Sequence, residues 1–283
     1  MTPGLRQHVE DLLGTQIVAS RTLTGGDINQ AEGVSLADGR EVFVKANARA
    51  PRGMFPAEAR GLAWLGEAQV IRVPRTIAVD DQVLVLEWVQ PGRPAAGFDE
   101  RLGRALAALH RRAPAGFGLD HDNFIGSLPQ VNAAADTWGA FYRSMRLEPQ
   151  VRRATDAGFL PPRLKRTFAR LLLRLEERVG PAEPPARLHG DLWNGNLLCD
   201  SEGAPCLVDP AVYGGHREVD LAMMRLFGGF SARVFAAYAE DFPLAEGHLE
   251  RVALHQLYPL LVHLNLFGGA YLASLEATLG QLG

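Results

Sequence analysis

The segment from His189 to Asn196 reads HGDLWNGN and places the carboxylate of Asp191 five residues before the side-chain amide of Asn196. A carboxylate can orient or deprotonate an attacking hydroxyl group. An amide oxygen can bind Mg²⁺ on the opposite side of a phosphoryl group that is being transferred. This spacing therefore predicts phosphoryl transfer to an alcohol, and the alternative is a polar turn that closes a β-hairpin.

A lysine on a strand is the second candidate. Lys45 ends the apolar run VFVK, where exposure to solvent is the ordinary state of a lysine. A buried lysine stays cationic only with a carboxylate partner, and Glu58 in the following predicted helix is the candidate. A strand lysine paired with a helix glutamate is how protein kinases hold the α- and β-phosphates of ATP.

A second candidate ligand of Mg²⁺ follows another short strand, because Asp209 ends the run CLVD. It stands where protein kinases carry the aspartate of DFG. His189 precedes Asp191 by two residues, as in the kinase catalytic loop, and Gly190 replaces the kinase arginine. Separate turns would explain each residue singly but not the ordered set Lys45, Glu58, Asp191, Asn196 and Asp209.

The elements that must position these residues change along the chain. The pattern predicts strands at 15–23, 30–36, 41–45, 76–79 and 82–89, with a helix at 56–67. Residues 91–97, PGRPAAG, stop both helix and sheet and predict a linker. Helices are then predicted at 99–112, 133–147, 162–179, 217–227, 231–239 and from 246 onward, around a strand-rich patch at 186–210.

These patterns predict an α+β fold with two lobes. Residues 1–89 are expected to form a small antiparallel, β-rich N-terminal lobe that binds nucleotide. Residues 90–283 are expected to form a larger, mainly helical C-terminal lobe for catalysis and substrate binding. Small ligands usually bind in the cleft between lobes.

The composition excludes several other classes of protein. The chain has 283 residues, 47% hydrophobic and 22% charged, which is typical of a soluble globular protein. A net charge of −3 argues against nucleic-acid and membrane partners, and neither a signal peptide nor a run of 18 apolar residues is evident. We therefore expect a cytoplasmic protein.

The two cysteines of the chain, Cys199 and Cys206, are expected to be reduced thiols, although they could face each other across a hairpin.

With these residues in hand, the sequence resembles the fructosamine kinase (ketosamine-3-kinase) family, a branch of the aminoglycoside-phosphotransferase-like kinases. HGDLWNGN is close to the family pattern HGDLW-x-GN, and its tryptophan separates it from most aminoglycoside kinases. Further segments typical of the family follow in order, at 25–29, 42–45, 55–62, 122–126, 138–141, 146–150, 209–218 and 263–268. The resemblance extends from about residue 16 to residue 272 and implies a protein-kinase-like fold.

The resemblance implies an ATP-dependent kinase that phosphorylates the C3 hydroxyl of ketosamines, the sugar adducts of glycated amines. Phosphorylation there destabilises the adduct, so the activity would be deglycation repair. In this family assignment Asp191 orients or deprotonates the sugar hydroxyl, while Asn196 and Asp209 hold Mg²⁺. Lys45, fixed by Glu58, neutralises the ATP phosphates.

The resemblance also assigns binding residues. Gly25 and Gly26 would cover the ATP phosphates, and the backbone groups of Glu87 and Val89 would bind adenine. Trp193 would support the sugar, with packing between lobes as the alternative. His263 is a candidate for the substrate pocket. Asn265 lies two residues further along the same predicted helix, so the two side chains cannot both face one site.

One residue assigned through the resemblance is structural. Asp220, in the segment EVDLA, would brace the catalytic loop.

The acceptor and the assembly state are left open. The ketosamine could be free or attached to a glycated protein, and an aminoglycoside, choline or another small alcohol is the alternative acceptor. The loop at Gly25 lacks the cysteine that many relatives carry, so we expect a monomer or a non-covalent dimer. A non-catalytic pseudokinase would lack Lys45, Asp191 or Asp209, and all are present.

Arginines at 166, 170, 174 and 178 predict a solvated helix face, with docking of an acidic protein substrate as the alternative.

Overall fold

The structure, a computed structural model, describes residues 1–23 and 29–283. Two compact units are present: residues 1–98 with 197–209 form the first, and residues 99–196 with 210–283 form the second. A five-stranded sheet in the first unit and the many helices of the second confirm the predicted α+β class. Among the described residues, no helix has the length and apolar character needed to cross a bilayer.

The first unit is built on one antiparallel sheet with the strand order β1-β2-β3-β5-β4. Its elements are α1 (Pro3–Leu13), β1 (Ile17–Thr22), β2 (Gln30–Leu36), β3 (Glu41–Ala46), α2 (Met54–Gly66), β4 (Thr76–Val79), β5 (Val83–Glu87), β9 (Leu197–Cys199) and β10 (Pro205–Leu207). The predicted strands 30–36 and 76–79 coincide with β2 and β4.

Side-chain alternation along β3 decides which residues enter the core. Val42, Val44 and Ala46 are buried in an apolar cluster that also contains Val9 of α1. Successive side chains of a strand point to opposite faces, so Lys45 lies on the other face. The helix α2 supplies the partner of Lys45 on that face, as described below.

The helix α1 was not predicted, although its capping signals are present. Thr2 accepts a hydrogen bond from Leu5 N at 3.3 Å, Pro3 occupies the first turn, and Gly14 ends the helix in the left-handed conformation at φ 65°. These are common start and stop signals of a helix.

The hairpin of β9 and β10 separates the two cysteines. Cys199 pairs with Pro205 and Cys206 pairs with Leu198. Because neighbouring positions on a strand face opposite sides, Cys199 and Cys206 do not face each other, and both are free thiols. The predicted linker packs on this hairpin, with Gly92 N donating to Cys199 O at 2.9 Å.

The second unit is mainly helical. Its elements are α3 (Phe98–Arg111), β6 (Asn123–Ile125), β7 (Leu128–Gln130), α4 (Trp138–Phe141), α5 (Glu148–Asp156), α6 (Pro162–Leu173), β8 (Ala186–Leu188), β11 (Tyr213–Gly215), α7 (Glu218–Leu226), α8 (Ala232–Asp241), α9 (His248–Phe267) and α10 (Leu272–Gly280). A π-helical stretch, Tyr142–Leu147, joins α4 to α5, and 3₁₀ turns lie at Leu175–Glu177, Asn194–Asn196 and Gly269–Tyr271.

The helix α6 ends at Leu173, which is earlier than the predicted residue 179. Arg166 and Arg170 therefore lie on α6, but Arg174 and Arg178 follow it. Arg174 pairs with Glu177 at 2.9 Å, and Arg178 donates to the carbonyl oxygen of Leu282. The four arginines do not form one continuous helix face.

The packing of α3 on α8 depends on a glycine. A Cβ added at Gly103 would collide with the carbonyl oxygen of Val234 and lie 2.9 Å from Tyr238 N. We expect Gly103→Ala to lower the free energy of unfolding by about 2 kcal/mol, because overpacking forces backbone shifts. Urea unfolding monitored by circular dichroism measures this change.

The control for that variant is Gly4→Ala in α1, where a Cβ would meet nothing within 4 Å. Alanine favours a helix over glycine, so Gly4→Ala should be neutral or stabilising. An equal loss of stability in both variants would contradict the assigned α3–α8 contact.

Candidate active site

In the first unit, Lys45 is a buried cation held by two carboxylates. Its Nζ lies 2.9 Å from both carboxylate oxygens of Glu58 and 3.1 Å from Oδ1 of Asp209. Burial alone would lower the pKa of Lys45, but the carboxylates of Asp209 and Glu58 outweigh it and raise this pKa. Lys45 is therefore charged at neutral pH.

Glu58 lies between two small, buried residues of α2. Ala57 and Ala59 are 2% and 9% exposed. The structure thus brings together the predicted pair Lys45 and Glu58, which are 13 residues apart.

Asp209 follows β10 in an unusual backbone conformation. Its φ is 54°, in the left-handed region, which is uncommon for any residue with a side chain although aspartate adopts it more readily than most. Such strained conformations concentrate at functional sites. The turn brings the carboxylate to Lys45, a contact that was not predicted, and leaves the Asp209 side chain 41% exposed.

The predicted adenine-binding residues lie at the end of β5. Glu87 N donates to Arg75 O at 2.9 Å. The backbone group of Glu87 that is the candidate to bind adenine is therefore its carbonyl oxygen. Its carboxylate accepts from Arg75 at 2.8 Å and Arg72 at 3.4 Å, which fixes this end of the strand. Val89 is buried at 7% exposure. The predicted residues Gly25 and Gly26 lie outside the described residues.

In the second unit, one buried carboxylate holds the start of the predicted catalytic loop, residues 189–196. Asp220 of α7 is fully buried and accepts hydrogen bonds from His189 N at 2.8 Å and Gly190 N at 2.9 Å. His110 Nε2, from α3, lies 3.2 Å from the same carboxylate, and its Nδ1 lies 2.8 Å from the hydroxyl of Tyr238. Burial would raise the pKa of Asp220, but hydrogen bonds from His110 and Gly190 outweigh it and lower this pKa.

Gly190 is required by its surroundings. Its φ is 84°, and an added Cβ would collide with the carbonyl oxygen of Ala211. Ala211 N in turn donates to His189 O at 2.9 Å, so the loop and the chain after Asp209 are hydrogen-bonded directly. A larger residue, such as the arginine of protein kinases, does not fit at this position.

The predicted pair Asp191 and Asn196 is in contact within the loop. Asn196 Nδ2 donates to Asp191 O at 2.8 Å and to Asp191 Oδ2 at 3.3 Å. Because the amide nitrogen faces Asp191, the amide oxygen of Asn196 is directed away from that carboxylate. The hydrogen bonds thus fix the Asp191 carboxylate and the Asn196 amide relative to each other.

A buried arginine anchors the segment that follows Asp209. Arg146 is fully buried, lies over the ring of Tyr213 at 3.8 Å, and donates to Val131 O and Asn132 Oδ1 at 2.6 and 2.7 Å. Asn132 Nδ2 donates to Asn123 Oδ1 at 2.9 Å, so the network continues from Arg146 to the start of β6.

The same network ends on two backbone carbonyls. Asn123 donates to Val212 O at 2.8 Å, and Gln130 donates to Ala211 O at 3.1 Å. Sequence reasoning missed these positioning residues. The segment at 122–126 was noted only for its resemblance to the family, without a role.

The two predicted substrate residues belong to one group of aromatic rings. The Trp193 side chain is 41% exposed and meets Phe227 edge-on, with ring centres 6.4 Å apart. His263 on α9 lies 4.8 Å from the same Phe227 ring. Asn265 instead donates to Gln150 of α5 at 2.8 Å, so the two α9 residues are directed to different partners, as their spacing predicted. Phe227 was missed because no motif marks it.

With this geometry in view, comparison with known proteins places the chain. The sequence profile of fructosamine kinases matches residues 1–282. The chain belongs to the fructosamine kinase family. Members of this family are phosphotransferases, and the predicted family and enzyme class are thereby confirmed.

Named relatives agree with the family. A probable ketoamine kinase of Synechocystis sp. is 40% identical over 274 residues, covering 94% of this chain and 90% of the relative. A chloroplastic protein-ribulosamine 3-kinase of Arabidopsis thaliana is 35% identical over 269 residues, with 92% and 81% covered. A crystal structure of a candidate fructosamine-3-kinase from Thermobifida fusca has a TM-score of 0.91 and 43% identity, with 99% of each chain covered.

More distant structures bear on the fold alone. A macrolide 2'-phosphotransferase matches with a TM-score of 0.68 at 18% identity, over 99% of this chain and 98% of its own. A choline kinase of Streptococcus pneumoniae matches with a TM-score of 0.63 at 12% identity, over 98% and 97%. These neighbours confirm the protein-kinase-like fold of this fructosamine kinase family member.

The Asp220 contacts generate a stability prediction. We expect Asp220→Asn to lower the free energy of unfolding by about 3 kcal/mol at pH 7, because it removes a buried negative charge to which His110 and two backbone N–H groups donate. A group whose pKa is lowered on folding stabilises the native state above its unfolded pKa. The deficit of the variant should therefore be full above the ordinary aspartate value of 3.8 and shrink as the pH falls below it.

Urea unfolding between pH 7 and pH 3 measures this difference, with Asp156→Asn as the control. Asp156 is an exposed carboxylate of α5, so its variant should stay within about 0.5 kcal/mol of wild type. A deficit of Asp220→Asn that is independent of pH would argue against the charge as its cause.

Proposed function

We propose that this protein is an ATP- and Mg²⁺-dependent kinase that phosphorylates the C3 hydroxyl of ketosamines, and that it acts in deglycation. The observation that carries the proposal is the Asp191–Asn196 hydrogen bond, in which the amide nitrogen of Asn196 donates to the Asp191 carboxylate. The ribulosamine and ketoamine kinases among its relatives support the acceptor class.

Asp191 acts on the acceptor. Its carboxylate accepts the hydrogen of the sugar hydroxyl, which orients the oxygen for attack on the γ-phosphorus of ATP and receives the proton as the new bond forms. Asn196 holds the Asp191 carboxylate through its amide N–H, so the base keeps its position while the proton moves.

Two oxygen donors suit a magnesium ion. The carboxylate of Asp209 and the amide oxygen of Asn196 are hard ligands of the kind that Mg²⁺ takes in proteins, so the residues present fit the ion. When bound, Mg²⁺ neutralises charge on the β- and γ-phosphates. The left-handed turn at Asp209 holds its carboxylate in an exposed position beside Lys45.

Lys45 binds the ATP phosphates. Its pairing with Glu58 keeps the ammonium charged and fixed while buried, so phosphate binding requires little reorganisation of the side chain. Gly25 and Gly26 cover the phosphates in this proposal. The Glu87 carbonyl and the Val89 N–H bind adenine, and residues 1–89 form the nucleotide-binding lobe.

Residues 90–283 form the catalytic and substrate lobe. Trp193, two residues after Asp191, offers an exposed indole face to the C–H surface of the sugar, and His263 contributes from α9. The ketosamine is free or protein-bound, the protein is a cytoplasmic monomer or non-covalent dimer, and nucleic acid and membrane are not partners.

The alternative acceptor is another small alcohol, such as choline or an aminoglycoside. One observation favours choline over an aminoglycoside, because the exposed rings of Trp193 and Phe227 can attract a quaternary ammonium.

An acceptor panel tests the function. With ATP and Mg²⁺, we expect turnover of fructosamines or ribulosamines, with kcat/KM at least about 100-fold above that for choline or kanamycin. The reason is that the proposed site binds the C3 hydroxyl of a ketosamine at Asp191. Coupled ADP release measures the rates, and ³¹P–¹H correlation spectra of the product locate the phosphate. Turnover of choline or kanamycin alone, or a phosphate at a position other than C3, would overturn the proposal.

Variants of two residues separate catalysis from nucleotide binding. We expect Asp191→Ala to lower kcat by about 10³-fold or more while the Kd for ATP stays near wild type, because the residue acts only on the acceptor. Single-turnover kinetics and calorimetric titration with a non-hydrolysable ATP analogue measure the two effects.

Lys45→Ala should instead weaken the Kd for nucleotide, in a chain that remains folded.

Asp120→Asn is the matched control for Asp191, because Asp120 has an 87% exposed side chain on a loop of the second unit. Turnover of Asp191→Ala near the wild-type rate would refute its catalytic assignment.

A further inference from the structure

Five ring side chains of the second unit form a continuous group, which we call the aromatic surface: Trp193, Phe227, His263, Phe267 and Tyr271. Its members come from the catalytic loop, the end of α7, α9 and the 3₁₀ turn that follows α9. The ring centres of Phe227 and His263 are 4.8 Å apart, those of His263 and Tyr271 5.0 Å, and those of His263 and Phe267 5.6 Å. His263 is therefore the centre of the group.

Much of the aromatic surface is open to solvent. Trp193, Phe227 and Phe267 are 41%, 40% and 40% exposed, which is unusual for large apolar rings that contact one another. Contiguous exposed apolar surface of this kind marks binding sites. An added Cβ at Gly195 would collide with the Trp193 indole, so the ring lies against the loop and is fixed on that side.

The centre of the aromatic surface adds no positive charge. His263 Nδ1 donates to Pro259 O at 2.8 Å, which leaves Nε2 as the acceptor of the ring. Burial lowers the pKa of His263, so the ring is neutral at neutral pH. A cationic ligand is therefore not repelled at this point, and the ring faces attract it.

We propose that the aromatic surface binds the amine-derived part of the ketosamine, beyond the sugar. The inference rests on the proposed function, in which the C3 hydroxyl lies at Asp191. It assigns Phe227, Phe267 and Tyr271 as specificity-determining residues.

The extent of the surface supports this assignment. The ketosamine nitrogen is attached at C1, two carbons along from C3, so the sugar and nitrogen together stay near Trp193. The Phe227 ring centre is 6.4 Å from that of Trp193, and the His263 and Tyr271 rings follow in further steps of 4.8 and 5.0 Å. Those rings reach past the nitrogen to the substituent that the amine brings.

The chemistry of that substituent follows from the rings. A ketosamine nitrogen is a secondary ammonium, which aromatic faces attract, and an alkyl chain beyond it removes apolar ring surface from water. The preferred ligand is thus a ketosamine whose amine carries an extended alkyl chain, as a lysine side chain does. Amines with a short substituent leave the outer rings uncovered.

Two ketosamines with the same sugar test this inference, one made from hexylamine and one from methylamine. Each fully buried methylene is worth roughly fourfold in affinity, so partial coverage of the longer chain should raise wild-type kcat/KM at least about tenfold, through KM. Steady-state ADP release measures both substrates under the same conditions.

Variants locate the effect. Phe227→Ala and Tyr271→Ala should each lower the hexyl-to-methyl ratio of kcat/KM to about one to three. Phe235→Ala is the matched control and should keep the wild-type ratio, because its half-buried ring lies under Arg225 at 3.9 Å outside the aromatic surface. Phe267→Ala, whose ring is 40% exposed, gives an independent reading if Phe227→Ala does not fold.

The outcomes separate the two proposals. If neither ketosamine is phosphorylated, the proposed function itself fails. If wild type phosphorylates both with equal kcat/KM, or if Phe235→Ala lowers the ratio as much as Phe227→Ala, the assignment of the aromatic surface is refuted and the kinase activity stands.

Discussion

The loop of residues 189–196 depends on one buried carboxylate. Asp220 has no contact with solvent, so its charge is stable only because His189 N, Gly190 N and His110 donate to it. Two successive N–H groups can point at one carboxylate only where the chain turns sharply, which Gly190 permits at φ 84°. The position of Asp191, the next residue, follows from this turn. The geometry of the loop is thus determined by a helix that lies 30 residues further along the chain.

A second buried charge stabilises the segment on the other side of Gly190. Arg146 is surrounded by aromatic rings and is not exposed to solvent. Its hydrogen-bond network continues through Asn132 and Asn123 to the carbonyl of Val212. Removing any member would leave a buried polar group without its partner, which costs more than the hydrogen bond contributes. The loop and the segment after Asp209 are therefore held by two networks that start from opposite charges.

Local patterns predicted most of the elements, although not α1 or the end of α6, and short-range rules also predicted the Lys45–Glu58 pair. Alternation along β3 assigns Lys45 to the face opposite Val44, and the next helix offers one glutamate between two alanines. The contacts of Arg146 and His110 were not predictable in the same way. Tyr238 is 128 residues from His110, and no periodicity in the sequence relates such positions. The aromatic surface was missed for the same reason, since Phe227 and His263 meet only through tertiary packing.

The side-chain amide at residue 196 serves two purposes that a carboxylate could not combine. Its nitrogen donates to Asp191, and in the proposed function its oxygen is a ligand for Mg²⁺. An aspartate at this position would have no hydrogen to donate, and it would place a second negative charge beside Asp191. Like charges at this distance raise the pKa of one partner, so Asp191 would be more easily protonated before the proton transfer in which the proposal uses it as the acceptor. In the proposed mechanism the amide therefore holds Asp191 without altering its charge, and it still offers an oxygen to magnesium.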